Sequence, residues 1–418
     1  MLKKSQFSQS CRQKMPFKKE RFTGRTGDSR LFLRFLRPFG ISLICFSSVL
    51  HAQAQKEAQI VFPSTQDTLP PDYQGPVFHL RQDYPTQFPN IPRPWEAINF
   101  KKEPVKYLNF IKQYLLAGMA KANYYPAQNK VHDWYHMPWL TTGRRAREAI
   151  HGLQRERDVK PFELDPHQTQ TQQKWEVAYY NPIGAYQIGK IWKNPKLKGA
   201  PDLTQTEFPE GTLVFKWVFV TGDDTQLPIL KGAPLFYANI NREISRKSPK
   251  AIRPVRLVQM DFAIRDKRAD DTTSWVMGTY VYDKDAPGKT GWERMVPLGV
   301  QWGNDPGITP KMVQQGIKLK ETIVLPNAPK YALERLGWGG RLNGPMDLRG
   351  SACLACHSMA QWPHPLNKQP KGNDQQKLKY FRNLKPTEPF DKGQISLDYS
   401  LQLENALRAY RAQQFKQK

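Results

Sequence analysis

Between Gly211 and Pro326 apolar residues recur at every second position, in five short runs: GTLVFKWVFVTG, PVRLVQMDFAIRD, SWVMGTYVYD, RMVPLGVQWG and KETIVLP. Turn formers separate them at Gly222-Asp223-Asp224, from Asp283 to Gly288, and from Asn304 to Gly307. Val, Ile, Phe, Tyr and Trp at period two predict β-strands, and the short connections predict an antiparallel sheet. In the second run Val258, Met260, Phe262 and Ile264 are expected to share a buried face, and in the fourth Val296, Leu298, Val300 and Trp302.

Elsewhere the period is helical. In EPVKYLNFIKQYLLAGMA, Val105, Leu108, Ile111, Leu115 and Met119 form one stripe with Lys106 and Lys112 turned away, which predicts an amphipathic helix packed on the core. Near the end, Leu397, Leu401, Leu403, Leu407 and Tyr410 suit a closing helix that docks on the body. Prolines are dense from Gln55 to about Phe100, which excludes long helices and central strands and predicts an extended arm. The stretch from Asn129 to Pro161 is polar and aromatic, with His132, His136, Met137, His151 and a cationic cluster of Arg144, Arg145, Arg147, Arg155 and Arg157. With the aromatic pieces KWEVAYY and GAYQIGKIW, it reads either as a wall around a flat ligand or groove, or as ordinary half-buried rings. The expected class is therefore α+β: a leader at 1–54, a proline-rich arm at 55–100, a helical and aromatic region at 101–205, and a β-rich domain with a closing helix at 206–418.

The N-terminus changes the picture by implying export. A basic stretch ends at Arg34 and Arg37, GISLICFSSVL supplies an apolar segment, and Ala52 and Ala54 form a small-x-small cleavage site. The apolar segment is shorter than the roughly 20 residues needed to cross a bilayer, so a cleaved signal is expected, with an uncleaved anchor as the alternative. The expected location is the periplasm. The net charge of +26 falls to about +17 without the leader, which still predicts an anionic redox partner or the membrane surface. Nucleic acid fits poorly, because the basic residues are scattered and no nucleic-acid motif occurs.

Four cysteines are present, and Cys11 and Cys45 lie in the leader, so Cys353 and Cys356 remain as one pair inside SACLACHSM. CLACH has the C-x-x-C-H spacing of covalent haem attachment. On a helical turn, residues three apart put both sulfurs on one face, within reach of the two vinyl groups of a porphyrin, and His357 follows at the position of a proximal iron ligand. The expected cofactor is one covalent haem c, held by Cys353, Cys356 and His357. A tetrahedral zinc site would need two more ligands at recognisable spacing, and no second cysteine pair occurs. A thioredoxin-like dithiol belongs in a βαβ context, whereas here a glycine-rich coil, GWGGRLNGPMDLRG, leads into the motif. Chance is the remaining alternative.

At CLACH the chain resembles c-type cytochromes. The order FPEGTLVFKW, SWVMGTYVYD, LGWGG and then CLACH is similar to the β-sheet haem proteins of the cytochrome P-460 and cytochrome c′-beta type, over about Phe208 to Pro363. That resemblance implies a five-coordinate iron open to nitric oxide, hydroxylamine or peroxide, and a lysine crosslinked to the haem, for which Lys216 in FKWVF is the position to test. The segment from Gln55 to about Pro201 has no counterpart in those short proteins.

Two functions follow as expectations. The first is one-electron transfer by an exported monohaem cytochrome; the second is a haem oxidase, peroxidase or gas-binding protein acting on a small diatomic or nitrogenous ligand. A haem-free thiol oxidoreductase is the contrasting class. The sixth iron ligand separates the first two, and its candidates are His132, His136, Met137, Met346 and His364.

Overall fold

A computed structural model describes residues 69–140, 147–197 and 199–415. The expected leader at 1–54, the first part of the arm at 55–68, and Arg144 and Arg145 lie outside the described residues. The centre is an antiparallel eight-stranded sheet built from β1 (Gln154–Arg155), β2 (Lys174–Tyr180), β3 (Leu213–Val220), β4 (Leu235–Asn241), β5 (Lys250–Arg265), β6 (Trp275–Tyr282), β7 (Met295–Gln301) and β8 (Thr322–Val324). Its order is β1-β2-β3-β5-β6-β7-β8. The long β5 pairs with β3 along one edge, and its other edge is shared by β4, over residues 250–256, and β6, over 259–265. The α-helices of the described residues are α1 (Pro104–Leu116), α2 (Pro182–Trp192), α3 (Pro310–Gln314), α4 (Lys330–Leu333), α5 (Cys353–Ser358), α6 (Asp374–Lys377) and α7 (Leu401–Gln414). The class is α+β, and no helix of the described residues is long and apolar enough to cross a membrane.

All five expected runs are strands, and three more join them. The runs KWEVAYY and LFYANIN form β2 and β4, so the sheet begins before residue 206. The division between 101–205 and 206–418 does not hold, because β1 and β2 hydrogen-bond into the sheet and both stretches lie in one compact unit, Ala58–Lys418. The fourth run is also corrected. A register shift beside Thr279 leaves Leu298 without an opposite residue, so Val296 and Leu298 pack with Val281 and Leu342 while Val300 and Trp302 join the main core.

The two faces of the sheet differ in chemistry. One carries Val177 and Tyr179 of β2, Phe215 and Trp217 of β3, Met260 and Phe262 of β5 and Tyr280 of β6, all buried against Tyr107, Leu108, Ile111 and Leu115 of α1. Gly278 lies on that face because any side chain there would strike the Phe262 ring, with Leu108 of α1 close behind. Val105 of α1 is exposed, and Tyr107 takes the core place expected for it. The opposite face is roofed by α2, α5 and α7, where Ile188, Trp192, Leu354, Leu403 and Leu407 form a second apolar cluster. Between that roof and the sheet lies a cavity.

Candidate functional site

Strand pairing dictates what the cavity floor contains. One row across β2, β3, β5 and β6 is Ala178, Lys216, Asp261 and Thr279; the next is Tyr180, Val214, Ala263 and Met277. Directly opposed residues of an antiparallel pair share a face, so one row is charged and its neighbour apolar. The cavity holds about 390 Å³ and takes Cys353, Cys356 and His357 of α5 into its wall, with Gln402, Asn405 and Arg408 of α7 on another side. That volume lies within the range of small-molecule and cofactor pockets.

The glycine-rich segment before the motif is folded around Arg341, which donates to the carbonyls of Asn304, Trp338, Asp305 and Ile308 at 2.8–2.9 Å. Gly339 and Gly340 have φ of 69° and 78°, the left-handed region that glycine adopts without strain. The segment ends at Cys353, whose N–H donates to the Leu342 carbonyl at 3.0 Å, and α5 begins there. Both thiols are half-buried and unbonded to each other. Burial raises the Cys353 thiol well above its ordinary value and pushes Cys356 up to about 11. A working redox dithiol needs the opposite shift, toward thiolate.

His357 is held in one tautomer. Its Nδ1 lies 2.8 Å from the Tyr399 carbonyl oxygen, which only accepts, so Nδ1 carries the proton and Nε2 keeps its lone pair. Burial holds the imidazole down to about 4, the neutral form a metal requires. The carbonyl is aimed by a left-handed turn, with φ of 46° at Asp398 and 63° at Tyr399. Asp398 pins that turn by accepting the Trp275 indole N–H and the Phe208 N–H, both at 2.6 Å, while the Tyr399 hydroxyl donates to the Leu384 carbonyl at 2.8 Å.

Lys216 points into the cavity rather than into solvent. Its Nζ lies 3.4 Å from Asp261, 3.5 Å from Glu176 and 3.9 Å from Asp347. Burial opposes its charge, but these three carboxylates outweigh it and raise the ammonium well above the usual lysine range. The Gln259 amide nitrogen donates to both Asp261 and Asp347 at 2.7 Å. The two acids respond differently: burial raises Asp261, whereas Lys216, Lys174 and Gln259 overcome burial and hold Asp347 low.

Of the proposed sixth ligands only Met346 lines this cavity. His136 is buried elsewhere, its Nδ1 accepting the Arg81 N–H at 3.1 Å; His132 stacks on Tyr114; Met137 sits in the second apolar cluster; His364 is exposed. His132 and His136 share no helix. The cationic cluster is dispersed as well: Arg147 donates to the Gly152 carbonyl and Arg155 to Asp158 and Asn241, and of the described members Arg157 alone reaches the cavity. A charged residue in mid-strand between apolar neighbours, as in FKW and MDF, was the available signal for Lys216 and Asp261. Asp347, Gln259 and the Tyr399 carbonyl left none. Among the described residues no three His, Cys, Asp or Glu side chains cluster as metal ligands. No family model, curated protein or solved structure matches the chain.

Proposed function

We propose that the cavity holds one haem c and that the exported chain passes single electrons through its iron. The observation that carries this reading is the commitment of the His357 Nδ1–H to the Tyr399 carbonyl, beside two unpaired thiols on the same helical turn. Cys353 and Cys356 would hold such a ring as thioethers and Nε2 of His357 would hold its iron, while the apolar row of Tyr180, Val214, Ala263 and Met277 suits a porphyrin face. Arg157, Lys174, Lys368 and Arg408 also line the cavity and suit the carboxylates of such a ring. When bound, the haem supplies one-electron iron chemistry. The strongly basic chain favours an anionic redox partner or the membrane surface in the periplasm.

The half-buried group of Lys216, Asp261, Asp347 and Glu176 favours a second reading, because charges drawn largely out of water are costly and electron transfer alone does not call for them. In that reading a bound haem would supply chemistry on a small nitrogenous or diatomic ligand or peroxide, as the resemblance to the P-460 type implies, and Lys216 would be the residue to test for a crosslink. The test is a pyridine haemochrome spectrum of the exported, denatured protein. Absence of covalently retained haem sinks both readings. With haem present, a low-spin spectrum indifferent to carbon monoxide supports electron transfer, and high-spin iron that binds the gas supports the second reading.

A further inference from the structure

The hairpin of β4 and β5 runs past the neighbouring strand. β3 ends opposite Arg256, so residues 250–255 of β5 pair with β4 alone, and the last pair is Asn241 with Lys250. Directly opposed residues share a face, which puts Leu235 and Tyr237 of β4 on the side of Pro254 and Ile252 of β5. That side is open to solvent: Tyr237 is 57% exposed, Leu235 41% and Ile252 40%, and Ile244 in the turn is 39%. Apolar side chains gathered on a projecting hairpin are a liability unless something covers them.

Charge says what covers them. From 242 to 253 the same hairpin carries five cations, Arg242, Arg246, Lys247, Lys250 and Arg253, against one acid, Glu243. Arg242, Arg246 and Lys247 are exposed. Cations interleaved with aliphatic and tyrosine side chains match the layers of an anionic bilayer surface, phosphate outside and acyl chain beneath. An acidic protein would satisfy the cations and leave the aliphatic side chains in water. The turn also meets its backbone needs internally: Arg155 donates to the Ile244 carbonyl at 2.7 Å, Gln173 to those of Asn241 and Glu243 at 2.8 and 2.9 Å, and Arg253 to that of Arg242 at 2.6 Å. Contact with a headgroup layer therefore strands none of these four groups. Arg246 reaches back to the Glu156 carbonyl at 2.5 Å, and Glu156 lines the cavity, so the turn stands beside the cavity wall.

We propose that the β4–β5 hairpin docks on an anionic phospholipid surface, with Arg242, Arg246 and Lys247 at the phosphates and Tyr237, Ile244 and Ile252 at the boundary between headgroups and acyl chains. The proposal rests on the export in the reading above and assigns the membrane surface named there to one element. Co-sedimentation of the exported protein with vesicles of phosphatidylcholine alone, and of phosphatidylcholine mixed with phosphatidylglycerol, tests it. Binding to the anionic vesicles is expected to exceed that to neutral ones by about 10-fold or more and to weaken with added salt. Arg242→Gln with Lys247→Gln should lower it roughly 10- to 30-fold, and Ile244→Ser roughly 3- to 10-fold. Lys311→Gln with Lys318→Gln, two exposed cations in and just after α3, should leave it unchanged. The vesicles are first compared on the unaltered protein, so a variant that misfolds does not shelter the proposal. Equal binding to both vesicles overturns it, as does an equal loss in the Lys311 and Lys318 variant. Undiminished binding by Ile244→Ser, the result expected of a site for an acidic protein, also overturns it. The haemochrome spectrum of the same sample reports on the haem separately, so either reading can fail alone.

Discussion

Replacing Lys216 by methionine removes the cation that lies within 3.5 Å of Glu176 and Asp261 and 3.9 Å of Asp347. At 3.4 Å and an effective dielectric near 20, each ion contact is worth about 5 kcal/mol of gross attraction, most of it cancelled by desolvation and by repulsion among the carboxylates. What the variant exposes is the uncancelled part. Stripping one member from a buried ion group costs about 3–5 kcal/mol, and the lysine side chain is 23% exposed, so about 3 kcal/mol is expected near neutral pH. The sign of the pH dependence is fixed. Lys216 helps hold the Asp347 carboxyl below its ordinary range, and that stabilisation is present above the ordinary carboxylate range and lost as pH falls through the lowered value. In the variant the carboxylates take up protons at higher pH and the folded state gains by it, so the gap to wild type narrows on acidification. Lys216 itself is raised, so its own contribution is present below the usual lysine value and is lost as pH climbs through the higher folded one. Urea unfolding of both proteins, followed by tryptophan fluorescence near pH 7 and again at about pH 4, reads the gap directly. A difference below about 0.5 kcal/mol at neutral pH, the size expected of an exposed pair, or one that does not shrink in acid, refutes the reasoning.

Other variants probe the surrounding structure. On the proposed haem c reading, Cys353→Ala with Cys356→Ala should let acidified acetone extract the haem, whereas the unaltered protein should keep it with the polypeptide. Arg341→Met strands four carbonyls and should cost about 3–5 kcal/mol, seen as a lower urea midpoint at unchanged slope. Asp398 is raised to about 6 by burial, so the wild type should gain stability as pH falls through about 6 toward the ordinary carboxylate value, and Asp398→Asn should abolish that gain. Trp217→Ala should destabilise by about 3–5 kcal/mol through the cavity it leaves, measured by the same unfolding assay.

The sheet was readable where strands alternate between a buried and a less buried side. β2 was harder to see because both of its faces are covered, so KWEVAYY shows no clear alternation and reads as an aromatic run. β4 escaped because its outward residues Leu235 and Tyr237 are apolar and exposed, which blurs the same signal. Leu298 was misassigned because a bulge changes which face follows, and no residue type marks it. At the site, five residues in sequence carried the chemistry of CLACH. The groups around it come from β2, β3, β5 and the turns at Asp347 and Asp398, brought together only by strand register and chain reversal. His132 and His136 drew attention through spacing, yet Pro138 follows closely and the chain there is extended.

The division of β3 into a tryptophan face and a lysine face makes its length critical. Deleting one residue near Val214 would rotate every later side chain to the other side, driving Lys216 among the rings on α1 and Trp217 into the chamber. The turn between β4 and β5, residues 242–249, is exposed along much of its length and faces no such exchange. Insertions and deletions should therefore be tolerated there and eliminated in β3, a contrast that a library of single-codon length variants would reveal without reference to any activity.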